Sequence, residues 1–152
     1  MELWVALMQG QATVTHAISE RLEAEVGIPL AWHEVLARLA AAPDGRLRMQ
    51  ELAESMPISK SGLTRLSDRI EAAGYLTRAS CPTDRRGTYA VITESGRHKA
   101  REAMPVFFRA ADELFLQHLS ARERTALRSA MTKIIGANGG HLAWCLPTPA
   151  HS

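Results

Sequence analysis

Cysteine is scarce in this chain: 152 residues carry two, Cys81 and Cys145. They lie far apart with no metal-type spacing, so neither a disulfide scaffold nor a zinc site is expected, and a reduced, cytoplasmic protein is. Long hydrophobic runs are absent as well. The opening MELWVALMQGQ starts with an acidic residue and holds too short an apolar stretch for a secretory signal, and no later segment approaches membrane-spanning length. Internal repeats and low-complexity segments are missing. So are a phosphate-binding glycine loop, a nucleophile elbow, a zinc-binding histidine pair and clustered carboxylates, which argues against an enzyme and against any cofactor. His16 and Glu20 share one helix face, but a third metal ligand cannot be named for them.

What is present suits one ordinary globular domain: 46% hydrophobic residues and 22% charged. The net charge of +2 is small but unevenly placed. Residues 1–58 carry four basic against eight acidic side chains, residues 59–101 nine against four, and residues 102–152 five against four. Positive charge is therefore concentrated in the middle, where release of counterions from a phosphate backbone would use it.

Residues 2–26 place Leu3, Leu7, Val14, Ile18, Leu22 and Val26 at helical spacing, and Gly27 and Pro29 end that helix. A second helix is expected over Leu30–Ala41, stopped by Pro43, Asp44 and Gly45. A short strand over Leu47–Met49 and a brief helix over Gln50–Met56 follow. Pro57 breaks that helix and Ser59 can cap the next, giving helix, tight turn, helix. Within Ser59–Ala73, Leu63, Leu66, Ile70 and Ala73 form one stripe while Ser61, Thr64, Arg65 and Asp68 form the opposite one. Gly74 stands where the helix end needs a positive φ, and Tyr75 closes the cap.

Tyr75–Ser80 and Thr88–Thr93 read as strands flanking a loop, Cys81–Gly87, that carries Asp84, Arg85 and Arg86. A long helix kinked at Pro105 is expected from Glu94 to about His118. A last one, opened by the capping box Ser120 and Glu123, is expected to about Ile135. The fold class is mainly α with a small β-hairpin wing: a winged helix-turn-helix lobe over 29–93, helices 1–28 and 94–137 carrying surplus apolar surface for a second subunit, and a flexible tail over 138–152. Such a dimer would read half-sites about one helical turn apart on a pseudo-palindromic operator in double-stranded DNA.

TRLSDRIEAAGYLTR, PTDRRGTYAVIT and ESGR are very similar to the core of MarR-type winged helix-turn-helix regulators, and the order of elements agrees over nearly the whole chain. The resemblance implies a homodimeric transcriptional regulator in which a small, often aromatic, molecule or oxidation of a thiol changes lobe spacing and releases DNA. It also implies that an arginine of the hairpin tip enters the minor groove, Arg86 first and Arg85 second, while Asp84 helps hold the loop. Thiol-sensing members carry their reactive cysteine near the start of the chain, where this sequence has none, so oxidation acting through Cys81 is an alternative reading.

Arginine suits a narrow groove because its guanidinium is always charged and is drawn by the negative potential there. On the reading helix, Arg65 is the foremost candidate for a base or phosphate contact, with Ser59, Lys60, Ser61, Thr64 and Arg69 offering shorter donors or flanking charge. Asp68, repelled by phosphate unless paired, is expected to orient Arg65, or Arg86 across the lobe. A ligand pocket for an aromatic effector is placed on His16, Trp32, His33 and Phe107, with Trp4 and Phe108 nearby. Core packing is the competing account of the same residues. The remaining alternative is a winged helix that contacts protein without DNA, which would lack the steep salt dependence of a phosphate binder.

Overall fold

The spacing of leucine and valine in the N-terminal segment produces a 25-residue helix, α1 (Glu2–Val26), but only its C-terminal half is buried, through Ile18, Leu22 and Val26. Gly27 ends it with φ of 72°, its N–H returning to the Glu23 carbonyl. In the computed structural model the backbone is described for residues 1–81 and 84–140, and side chains for the same residues except 81–86. The tail expected over 138–152 lies outside the described residues from 141 onward.

Helix α2 (Leu30–Ala41) is the central one, burying His33 and the whole run Val35–Leu39. A tight turn follows in which Asp44 and Gly45 take φ of 57° and 68°. It leads into β1 (Arg46–Arg48), α3 (Met49–Glu54) and α4 (Lys60–Ala72). The short strand and third helix both sit slightly earlier than their periodicity predicts. The reason is local: Glu51 Oε2 accepts the Arg48 N–H at 2.9 Å, which starts the helix at Met49.

Helix α4 forms as expected. The Ser59 hydroxyl accepts from Gly62 N at 3.1 Å, and Gly74, at φ of 80°, closes the other end. There Tyr75 N–H reaches the Ile70 carbonyl and Gly74 N–H the Glu71 carbonyl, the paired bonds of a Schellman cap.

Strands β2 (Leu76–Cys81) and β3 (Asp84–Ile92) pair antiparallel, with β1 on the far side of β3, giving the order β1-β3-β2. This corrects the sequence expectation for the hairpin. Asp84, Arg85, Arg86 and Gly87 lie in β3 and not in a loop over Cys81–Gly87, because the ladder continues to the pair Cys81 and Asp84 past an irregularity at Ser80/Cys81. Pairing satisfies backbone groups even where side-chain propensity for strand is weak. At the other end Thr93 leaves the strand to cap α5 (Glu94–Leu114), its hydroxyl accepting from Gly96 N and donating to the Gly74 carbonyl.

Gly96 marks a close approach of backbone to backbone, since a Cβ there would lie 2.0 Å from the Tyr75 carbonyl oxygen. Helix α5 runs through Pro105 and ends at Leu114, earlier than expected. Phe115 leaves helical geometry and a 3-10 turn covers Leu116–His118. The capping box of Ser120 and Glu123 opens α6 (Ala121–Ala137), which buries none of its residues.

The core joins Leu22 of α1, Leu36 and Leu39 of α2, Leu52 of α3, Leu63 and Ile70 of α4 and Leu76 of β2, all at 1% exposure or less. Each contributes about 1.5–3 kcal/mol of transfer free energy. Ion pairs of Arg21 with Glu113 and of Arg109 with Glu25 fasten α1 along α5. Among the described residues no helix is long and apolar enough to cross a membrane.

Candidate nucleic-acid interface

Helix α4 packs by Leu63, Ser67 and Ile70 and leaves Ser61, Thr64, Arg65, Asp68 and Arg69 exposed, together with Ser59 and Lys60 at its start. Its own polar groups are arranged along that face. Ser59 and Ser61 hydroxyls lie 3.2 Å apart, and Thr64 donates to the Lys60 carbonyl at 3.0 Å. Arg65 stands on the solvent face, and no ion pair holds it among the described residues. Arg69, one turn on, is drawn sideways, its guanidinium 5.9 Å from the centre of the Trp32 ring.

Asp68 does not orient Arg65. It accepts from Arg78 Nη1 of β2 at 2.6 Å. The same guanidinium lies 3.2 Å from Glu71 Oε2 and donates through Nη2 to the Thr64 carbonyl at 3.2 Å, while Arg78 N–H donates to Glu71 Oε1 at 3.0 Å. Arg78 thus ties the base of the hairpin to the reading helix, a role that the sequence analysis missed. A readable signal was there: carboxylates at 68 and 71, three residues apart, share one helix face, and an arginine follows on the next strand. The side chains of Cys81, Asp84, Arg85 and Arg86 lie outside those described, so only their backbone position in the hairpin is set by the structure.

The residues grouped as a ligand pocket are divided. His33 is fully buried and stacks on Phe107, ring centres 4.7 Å apart at 29°, where α2 meets α5, and Phe107 in turn meets Phe108 edge-on. Among the described residues neither His33 ring nitrogen has a hydrogen-bond partner, nor does Trp32 Nε1. Burial first, and the nearby Arg38 charge second, hold His33 at a pKa of about 4. Trp32 instead lies edge-on to Tyr75 at 6.1 Å. His16 belongs to neither group, being 76% exposed on α1 beside Glu20 at 3.5 Å. Trp4 is likewise out at the surface. Among the described residues no group of three or more His, Cys, Asp or Glu side chains could hold a metal.

A short helix, a turn and an outward-facing second helix, closed by a three-stranded antiparallel hairpin sheet, define a winged helix-turn-helix protein. Comparison with known proteins agrees. The MarR family model matches residues 26–87. The regulator MhqR of Bacillus subtilis is 28% identical over 90 residues, 59% of this chain and 61% of its own. The transcriptional repressor MprA of Escherichia coli is 25% identical over 128 residues, 84% of this chain and 72% of its own. The chain thus spans about three-fifths of the first of these relatives. The crystal structure of Sco3205, a MarR family transcriptional regulator from Streptomyces coelicolor in complex with DNA, superposes with a TM-score of 0.82 at 27% identity. It covers 90% of this chain and 88% of that one. These matches bear out the resemblance carried by TRLSDRIEAAGYLTR and PTDRRGTYAVIT: the chain is similar to MarR-family transcriptional regulators in sequence and in fold.

Proposed function

We propose that this protein is a dimeric, sequence-specific regulator of transcription, a repressor acting in the cytoplasm, that binds a pseudo-palindromic site in double-stranded DNA. The observation that carries the reading is the exposed polar face of α4 fixed beside the arginine-bearing hairpin by Arg78. A helix and a hairpin held at one angle can enter neighbouring grooves together. In this reading Arg65 makes the base-edge contact, and Ser59, Lys60, Ser61, Thr64 and Arg69 hold sugar and phosphate. Arg86 and Arg85 enter the minor groove from the hairpin, with Asp84 beside them. A DNA-bound structural relative and a relative named as a repressor support the same assignment.

The test is a footprint near the protein's own gene, followed by salt-titrated binding of that site. Arg65→Ala and Arg86→Ala are each expected to cost about 1 kcal/mol or more. Unchanged affinity in both would remove the reading helix and hairpin from the interface.

Dimerisation is proposed through α1 and α6. The first half of α1 exposes Leu3 at 83% and Trp4 at 60%, and α6 exposes Ile134 at 53%. Between the two helices runs an apolar groove of about 420 Å³, walled by Leu7, Val14, Phe115, Leu127 and Met131. A second copy, offering the same exposed apolar ends, is the occupant that matches it. Sedimentation equilibrium is expected to return twice the chain mass, and Trp4→Asp to shift the balance to monomer. A monomeric parent protein at micromolar concentration would refute the two-fold arrangement.

A small aromatic effector is the proposed releasing signal, with His33 and Phe107 as its contact at the junction of lobe and α5. The stacked rings and the unpartnered imidazole nitrogens support it. Trp32 stands on the neighbouring turn face, and His16, on the outer side of α1, is assigned a peripheral place.

A further inference from the structure

Trp32 stands on the first turn of α2 and reaches the last turn of α4, where the Arg69 guanidinium lies 5.9 Å from the centre of its ring. Arg69 is exposed, and among the described residues no carboxylate pairs with it. We propose that Trp32 is a positioning residue for DNA binding, whose ring holds the Arg69 guanidinium in place before the phosphate backbone arrives. This role rests on the DNA-binding reading above, in which Arg69 meets phosphate. It adds no phosphate contact and names instead the side chain that places one.

The ring is a fixed platform. Tyr75 meets it edge-on, ring centres 6.1 Å apart at 74°. Tyr75 is itself pinned at the cap of α4, its N–H donating to the Ile70 carbonyl and its own carbonyl accepting from Thr93 N–H, both at 3.1 Å. Both rings pack against the core. The orientation of the indole is a second, independent observation. Its Nε1 is shut away from solvent without a hydrogen-bond partner among the described residues, although the residue as a whole is only half-buried. A tryptophan set for hydrogen bonding would turn that N–H to a partner or to water. Here the ring gives Arg69 its electron-rich face, to which a guanidinium is drawn. Neighbouring groups on the reading helix are tied in other ways: Arg78 is held by Asp68 and Glu71, and Thr64 by the Lys60 carbonyl. A long arginine without such a tie loses rotamer freedom when DNA immobilises it, and stacking beforehand removes part of that loss. An aromatic face also leaves the positive charge available to phosphate, which a carboxylate partner would cancel.

A phosphate contact is the same for every sequence, so the experiment uses the full chain and a mixed-sequence duplex of about 30 base pairs, roughly three helical turns. Binding is measured as a function of salt for the parent protein, Trp32→Leu, Arg69→Ala and the double variant. Trp32→Leu is expected to lower affinity about two- to fivefold and to leave the slope of log affinity against log salt unchanged, because the cation remains. Arg69→Ala is expected to make that slope shallower by about 0.9, and Trp32→Leu to cost nothing further on that background. Trp32→Phe, which keeps an aromatic face, is expected to restore most of the loss. Trp32→tetrafluorotryptophan, which keeps the shape and withdraws negative charge from the ring face, repeats the comparison if Trp32→Leu does not fold. Equal affinity for the parent and Trp32→Leu overturns the proposal. So does an equal loss from Trp32→Leu with and without Arg69, which would leave Trp32 a packing residue only. An Arg69→Ala slope equal to that of the parent takes Arg69 off the backbone and overturns it too. A parent protein that binds no duplex overturns the regulator reading instead, so the two failures are distinct.

Discussion

Replacing Arg78 with alanine is expected to weaken operator binding by roughly 2–3 kcal/mol, about a thirty- to hundred-and-fifty-fold loss. The side chain makes no base contact in this account, so the loss arises indirectly, in two ways. The bonds from its guanidinium to Asp68 and to the Thr64 carbonyl disappear, and with them the tie that sets the hairpin's angle to α4. Asp68 and Glu71 both lose their cation on the side where phosphate must approach, although Glu71 keeps the backbone N–H of position 78. A second change separates these contributions. Asp68→Asn added to Arg78→Ala is expected to recover the repulsive part of the loss and not the positional part. Binding within twofold of the parent for Arg78→Ala would show that hairpin and helix keep their geometry without the bridge. No recovery in the double variant would remove the charge repulsion from the account.

The second large effect concerns acid. His33 is neutral when folded down to about pH 4, because its burial opposes charging and Arg38 lies close by. In the unfolded chain it titrates near 6.5. Above pH 6.5 both states are neutral and the residue adds no pH dependence. As pH falls from 6.5 towards 4, the unfolded state takes up a proton that the folded state refuses, and stability drops by about 3 kcal/mol over that window. Denaturant titrations at a series of pH values measure this, taken as the difference between the parent and His33→Leu so that the exposed histidines cancel. A difference that stays flat between pH 6.5 and 4 would mean that His33 is protonated freely in the folded protein, and the stacking on Phe107 would have to be abandoned.

Much of this architecture is written locally. The ends of α1, α2 and α4 follow from Gly27, Pro29 and Gly74, where backbone conformation leaves little choice, and the box of Ser120 and Glu123 fixes the start of α6 within one residue. What periodicity cannot supply is the identity of the neighbour across the fold. Asp68 was legible as an acid on a face meant for DNA, but its partner Arg78 is ten residues away and is chosen by how the hairpin folds back. The aromatic residues show the same limit. His33 and Phe107 meet because α2 crosses α5, whereas His16, on an equally regular helix, faces solvent. The early start of β3 escapes a propensity argument because Asp84 to Gly87 are poor strand formers. Their pairing is a cooperative property of the ladder, extended from Thr88 and Tyr89.

The glycine at position 96 has a mechanical consequence. With no side chain between them, the start of α5 and the carbonyl of Tyr75 touch main chain to main chain, and Thr93 laces the same spot to Gly74. Such a joint has no slack. In the proposed dimer, a tilt of α5 against the lobe would be passed on through this main-chain contact, with no side chain in between to absorb it.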